Sequence, residues 1–221
     1  MLVQVPGRGR RAHPPLEPVR LGILGGTFNP PHLGHLVCAQ EAYLQLKLDR
    51  VMFIPTGIPP HKANEEEPGI QHRLELCELA VRGDESRFEV SEIEIRRAGP
   101  SYTVDTLEEL RSTTPDSELF LILGGDIAAG LPRWHRVERV LELATAVVAE
   151  RRGTPRSSIE GALESVRAGE RAHFFPMPPI GLSSTMIRER VRSGQPIRYL
   201  VPDSVDTYIQ QHSLYQGVSH S

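Results

Sequence analysis

The sequence predicts an α/β fold: a Rossmann-like, doubly wound parallel sheet with helices on both faces. Two observations carry this. Short apolar runs alternate with helical patterns of about 10–15 residues for nearly the whole chain, the rhythm of successive βαβ units. Two of those runs end in paired glycines, Gly25 with Gly26 and Gly124 with Gly125. Such sheets bind ligands beyond the carboxyl ends of their strands, where the strand order reverses. The two glycine pairs are therefore expected to line one crevice.

Taken in order, residues 19–24 read as an apolar strand and 33–46 as a helix. Residues 51–54 form a short strand, followed by a loop over 55–69 with Pro59, Pro60, His61, Lys62 and the acidic run Glu65, Glu66 and Glu67. Residues 71–81 are helical. Over 88–95 the alternation of Phe88, Val90, Ile93 and Ile95 predicts a strand, with a bulge where it slips at Ser91 and Glu92. A helix over 102–110 could take Ser101 or Thr103 as its cap. Residues 119–123 form a buried strand that runs into Gly124, Gly125 and Asp126. Next come a helix over 137–143, a strand over 144–149, a helix over 158–166 and a short strand over 173–175. A helix over 183–191 opens on Ser-Ser-Thr, and a last helix spans 201–215 with Pro202 in its first turn. Residues 19–221 are read as one domain with a C-terminal helical part from about 183, and the basic, Pro/Gly-rich residues 1–18 as a disordered extension. The polar stretch 151–158 is the best linker candidate, though short enough to be a loop.

The chain has 221 residues, 39% of them hydrophobic, enough for one sizeable core. Its net charge of −3 gives no basic field for nucleic acid, so no such partner is expected. No apolar run approaches the roughly 18 residues of a membrane span, and the N-terminus lacks the apolar core of a secretion signal. Cys38 and Cys77 stand in separate helical patterns without a CxxC, which suits thiols in a reducing compartment. A cytoplasmic location is expected. A homo-oligomer is left open.

The chemistry concentrates in LGILGGTFNPPHLGHL, residues 21–36. Strand, tight glycine turn and helix start present backbone N–H groups to an anion, and glycine lets a phosphate approach where a Cβ would collide. His32 and His35, three residues apart, share one face of the helix start, where the dipole is positive. The glycines at 22, 25, 26 and 34 do not match G-x-G-x-x-G, and no G-K-[ST] follows. Dinucleotide-dependent hydride transfer and P-loop chemistry are thereby disfavoured. A zinc site would need more ligands than this histidine pair, and nothing in the spacing of His61 or His72 supplies them. The bland alternative is that His32 and His35 only cap and pack.

The stretch GGTFNPPHLGH resembles the G-x-F-x-P-x-H-x-G-H motif of the nucleotidylyltransferase superfamily, and GLSSTMIR at 181–188 is similar to that superfamily's I-S-S-T-x-I-R. Between them, IPTGIPPHK (54–62), GPSYTVDTL (99–107), LGGD (123–126) and LPRWH (131–135) make the chain resemble bacterial nicotinate-nucleotide adenylyltransferases over roughly residues 19–215. The resemblance implies the HxGH type of Rossmann-like fold and adenylyl transfer from ATP to nicotinate mononucleotide, giving deamido-NAD and pyrophosphate without a covalent enzyme intermediate. It implies Mg2+ as well. Many superfamily relatives have Asp where this chain has Asn29, and an amide is not an anionic ligand. The ion is therefore expected to be held mainly by the ATP phosphates and water, with no protein metal site assigned.

By the same resemblance, His32, His35 and Arg188 are the catalytic candidates. Gly25, Gly26, Thr27, Phe28, His35, Asp126, Ser184, Thr185 and Arg188 would bind ATP. Ser184 and Thr185 would donate from their hydroxyls to the β- and γ-phosphates, and Arg188 would add a forked cation. Asp126 could take a ribose hydroxyl or the metal; both readings stay open. On the acceptor side Trp134, the only tryptophan, would stack on the pyridine. Backbone N–H groups of Thr103 and His135, beside Tyr102 at a helix start, would read the carboxylate. Lys62 would approach the mononucleotide phosphate from a loop that closes over substrate. The rivals are the same chemistry on nicotinamide mononucleotide, a pantetheine-phosphate adenylyltransferase, and a nucleotide sensor without catalysis.

Overall fold

The structure is a computed structural model that describes residues 18–60, 68–150, 154–168 and 172–216. All of the expected N-terminal extension except Pro18 lies outside the described residues, as do Lys62 and the first part of the linker candidate.

Among the described residues six strands form one sheet: β1 (Arg20–Gly26), β2 (Arg50–Pro55), β3 (Phe88–Val90), β4 (Glu118–Gly124), β5 (Thr145–Glu150) and β6 (His173–Pro176). Their spatial order is β3-β2-β1-β4-β5-β6, and every pairing is parallel. The chain steps outward from β1 to β3, then crosses back to lay β4 on the other side of β1. Leu21 thus faces Arg50 on one side and Leu119 on the other. That reversal opens a crevice at the carboxyl ends of β1 and β4, with one predicted glycine pair on each side.

Strands buried on both faces need near-continuous apolar runs, and β4 (ELFLILG) and β5 (TAVVAE) supply them. On one face α1 (Leu33–Gln45) and α2 (Ile70–Val81) close over Leu24, Phe53 and Phe120 with Ala39, Ala42 and Cys77. On the other, α3 (Thr103–Thr113), α5 (Val137–Leu143) and α6 (Arg156–Ser165) cover Ile23, Leu121 and Val148 with Val104, Val140 and Ile159. A third cluster joins α2 to α7 (Ser184–Arg192) and α8 (Asp203–Gln211) through Leu76, Ile187, Val205 and Ile209. No helix of the described residues is long and apolar enough to cross a membrane.

Four expectations need correction. The strand over 88–95 ends at Val90. Ser91 N–H still donates to Phe53 O at 2.9 Å, but Arg96 N–H then closes a turn on Glu92 O at 2.9 Å, so the alternation of Ile93 and Ile95 belongs to a turn. Helix α3 is capped by neither Ser101 nor Thr103. Tyr102 is its N-cap, and the Ser101 hydroxyl accepts from Ile58 N–H at 3.1 Å instead. A four-residue helix α4 (Gly125–Ala128) and a 3₁₀ turn (Leu131–Arg133) were not foreseen, because neither is long enough to show a period. The last helix stops at Gln211, with Pro202 as its N-cap rather than inside its first turn. Beyond it Ser213 and Tyr215 take left-handed φ values of 52° and 62°. The chain reverses there to bury Leu214 and Tyr215 in the third cluster.

Candidate active site

The first motif leaves β1 at Gly25 and Gly26 and reaches α1 through a buried turn. Phe28 has a φ of 46°, a region that disfavours bulky side chains; its ring, only 1% exposed, holds it there. The ring lies edge-on to His35 with centroids 5.0 Å apart, and 5.7 Å from Phe53. Phe28 is therefore the floor of the site. His32 is the N-cap of α1 and His35 its third residue. The two imidazoles stack with centroids 3.8 Å apart, and His32 N–H donates to His35 Nδ1 at 3.1 Å. An Nδ1 that accepts assigns the neutral ring's proton to Nε2. The capping alternative is thus real: the cap uses Nδ1 of His35. At Gly25 a Cβ would meet nothing within 4 Å, so this glycine is small for no packing reason, and the space beside it fits the approach of a ligand.

The second motif lands on this turn. The Ser183 hydroxyl caps α7, accepting from Met186 N–H at 3.2 Å. The next residue, Ser184, donates from its hydroxyl to Pro30 O at 2.8 Å. Arg188 Nη1 donates to Asn29 O at 2.8 Å, and its Nη2 to Thr185 Oγ1 at 3.3 Å. Leu33 N–H, at the start of α1, donates to Leu200 O at 3.0 Å. Segments 154 and 159 residues apart in sequence therefore meet across single hydrogen bonds. The Ser184 hydroxyl was expected to face phosphate; here its proton is directed at the Pro30 carbonyl, and the serine ties the two motifs together.

Two supporting residues escaped the sequence reading. Tyr215 donates from its hydroxyl to Asn29 Oδ1 at 2.7 Å, both residues being buried. Burial pushes the Tyr215 hydroxyl above its ordinary range, against the lowering effect of Arg188 and Arg73, so it stays a phenol and keeps donating. Arg73, buried on α2, donates to Thr27 O at 2.9 Å and to Gly57 O at 3.2 Å. Tyr215 lies beyond any periodic element, and Arg73 sits on a helix face where periodicity calls for an apolar side chain. Tyr215→Phe should cost about 1–3 kcal/mol, the scale for a buried acceptor losing its donor. Denaturant melts of the two proteins measure this; equal midpoints would dismiss the bond as a support.

On the other side of the crevice, Asp126 is exposed at the start of α4, just past β4. The Tyr102 and His135 rings lie 4.5 Å apart. Trp134 is half-buried and packs against the same core cluster as Tyr102. Thr103 is the first residue of α3. Because α3 runs antiparallel to the strand that follows it, its N-terminus lies at the carboxyl edge of the sheet, where the crevice opens. Among the described residues no three His, Cys, Asp or Glu side chains gather as a metal site.

The family model described as "Cytidylyltransferase-like" matches residues 23–190, a span that includes both motifs. A Desulfitobacterium hafniense protein named "Probable nicotinate-nucleotide adenylyltransferase" is 44% identical over 201 residues, covering 90% of this chain and 97% of its own length. One of the same name from Geobacillus thermodenitrificans is 43% identical over 196 residues, covering 89% and 86%. The chain belongs to the nicotinate-nucleotide adenylyltransferase family. It is thereby an enzyme of the nucleotidyltransferase class. The fold agrees with that family. A Plasmodium falciparum nicotinic acid mononucleotide adenylyltransferase, solved in complex with NaAD, superposes with a TM-score of 0.72 at 17% identity, covering 89% of this chain and 97% of the other.

Proposed function

We propose that this chain transfers the adenylyl group of ATP to nicotinate mononucleotide, a step of NAD biosynthesis that yields deamido-NAD and pyrophosphate. A phosphate oxygen of the mononucleotide attacks the α-phosphorus in line. The bond from that phosphorus to the bridging oxygen breaks, and pyrophosphate leaves with the electron pair. Both reactants are polyanions, so the site's task is to position them and to offset charge. The observation that carries this reading is the tie of Ser184 and Arg188 to the main chain of Pro30 and Asn29. It gathers a donor imidazole, a helix N-terminus and a guanidinium around one turn.

In this reading His35 Nε2–H and Arg188 meet the phosphates where charge develops, with His32 stacked behind His35 to hold its plane. Gly25, Gly26, Thr27 and Phe28 supply backbone contacts to the nucleotide. Thr185 and the free N–H groups at the start of α7 face the outer phosphates. Asp126 takes a ribose hydroxyl or a metal-bound water. Among the described residues no ligands cluster for a metal, and a divalent ion such as Mg2+ would arrive on the triphosphate, where it would neutralise phosphate charge. Trp134 stacks on the pyridine, Lys62 approaches the acceptor phosphate, and N–H groups of Thr103 and His135, beside Tyr102, read the carboxylate.

The test is turnover with ATP and either nicotinate or nicotinamide mononucleotide, following pyrophosphate and the dinucleotide together. The expected result is stoichiometric release of both products, with kcat/KM for the acid at least about tenfold above the amide, the scale of one charge-assisted hydrogen bond. Equal values overturn the acid preference. Binding of ATP without pyrophosphate release would favour the sensor.

A further inference from the structure

Gly57, two residues past β2, is held from two sides by buried charge. Its carbonyl accepts from Arg73 Nη2 at 3.2 Å, while Arg73 Nη1 reaches Thr27 O at 2.9 Å in the phosphate turn. Against its other side packs Glu94, whose carboxylate takes a hydrogen bond from the Thr106 hydroxyl at 2.9 Å. Arg97 in turn donates to Thr106 Oγ1 at 3.1 Å. The two charged side chains are only 7% and 8% exposed. Gly57 has no room to give: a Cβ there would sit 2.3 Å from Glu94 O. The neighbouring residue is stitched to the start of α3, with Ser101 N–H donating to Ile58 O at 2.8 Å.

Buried charges cost desolvation and are weak sources of stability; apolar residues of similar volume often serve as well or better. Arg and Glu at these positions therefore call for a geometric reason. A guanidinium fork spans two carbonyls at a fixed separation, which a flexible ammonium does not. One carbonyl belongs to the turn that carries the ATP motif. The other belongs to the chain leading into the loop of Lys62. Glu94 then ties that same residue to the helix start proposed to read the nicotinate carboxylate.

We propose that Arg73 and Glu94 are a pair of positioning residues that, through Gly57, set the spacing between the ATP subsite and the mononucleotide subsite. Neither touches substrate. Arg73 braces both subsites, whereas Glu94 braces only the acceptor side. This inference rests on the adenylyltransferase reading above, so wild-type turnover with ATP and nicotinate mononucleotide is established first in the same assay.

Steady-state constants are then measured for Glu94→Gln, Arg73→Lys and the double variant, with thermal melts alongside. Glu94→Gln should raise KM for the mononucleotide about tenfold and leave KM for ATP within about twofold. Arg73→Lys should raise both KM values and lower kcat at least about tenfold. Because both act through one residue, the double variant should lose less than the product of the single losses. Should Arg73→Lys not fold, Ser101→Ala replaces it, and reproducing the Glu94→Gln split supports the proposal. Equal movement of the two KM values in Glu94→Gln, a lowered melting point with unchanged constants, or independent effects in the double variant would each overturn it. An inactive wild type would instead refute the assigned reaction.

Discussion

Replacing His35 by Ala should lower kcat by about 10²–10³, the scale for removing one donor from a developing oxyanion. The expectation follows from how the imidazole is held. Its Nδ1 accepts from His32 N–H and its ring contacts both His32 and Phe28, so the plane of the imidazole is fixed. The same substitution also removes the partner of a helix-start N–H, which costs about 1 kcal/mol of stability. The two effects separate experimentally: melting reports the cap, and kcat at saturating substrate below the melting range reports the chemistry. A kcat within threefold of wild type would take His35 out of the reaction and leave it a cap.

Arg188 should show a comparable loss with a different signature. Its guanidinium holds Asn29 O with one nitrogen and Thr185 Oγ1 with another, so its plane is fixed before substrate arrives. Arg188→Ala should lower kcat/KM by more than about 10², because it removes a cation and releases the turn it braces. Arg188→Lys separates the two contributions. It keeps the charge but has no rigid fork, and is expected to recover less than about a tenth of the lost activity. Full recovery by lysine would mean that only the charge matters. Unchanged kinetics in the alanine variant would remove α7 from the site altogether.

That the two motifs meet at one turn was legible in the sequence because each has a restricted pattern of residue types and spacing: His35 lies within GGTFNPPHLGH and Arg188 within GLSSTMIR. The sheet was legible for a similar reason, since β1, β4 and β5 are too continuously apolar to be anything but buried strands. What stayed hidden has one character. Arg73, Glu94 and Tyr215 are buried polar groups whose partners lie 12 to 186 residues away, or are main-chain atoms with no signature. Patterning treats such positions as exceptions to the core. Ile93 and Ile95 misled for the opposite reason: they alternate as a strand would, but Glu94 between them turns inward to the carboxylate network instead of outward to water.

The ties on Asn29 set a timetable for the molecule during synthesis. The turn bearing His32 and His35 is made before its clamps: Arg188 and Tyr215 hold Asn29 from 159 and 186 residues further along the chain. Until those residues are made the nascent chain holds the imidazoles without their clamp, and β1 keeps one edge bare until β4, whose Leu119 pairs with Leu21, is made. A product that keeps the sheet but lacks α7 and Tyr215 therefore leaves the Asn29 turn unclamped.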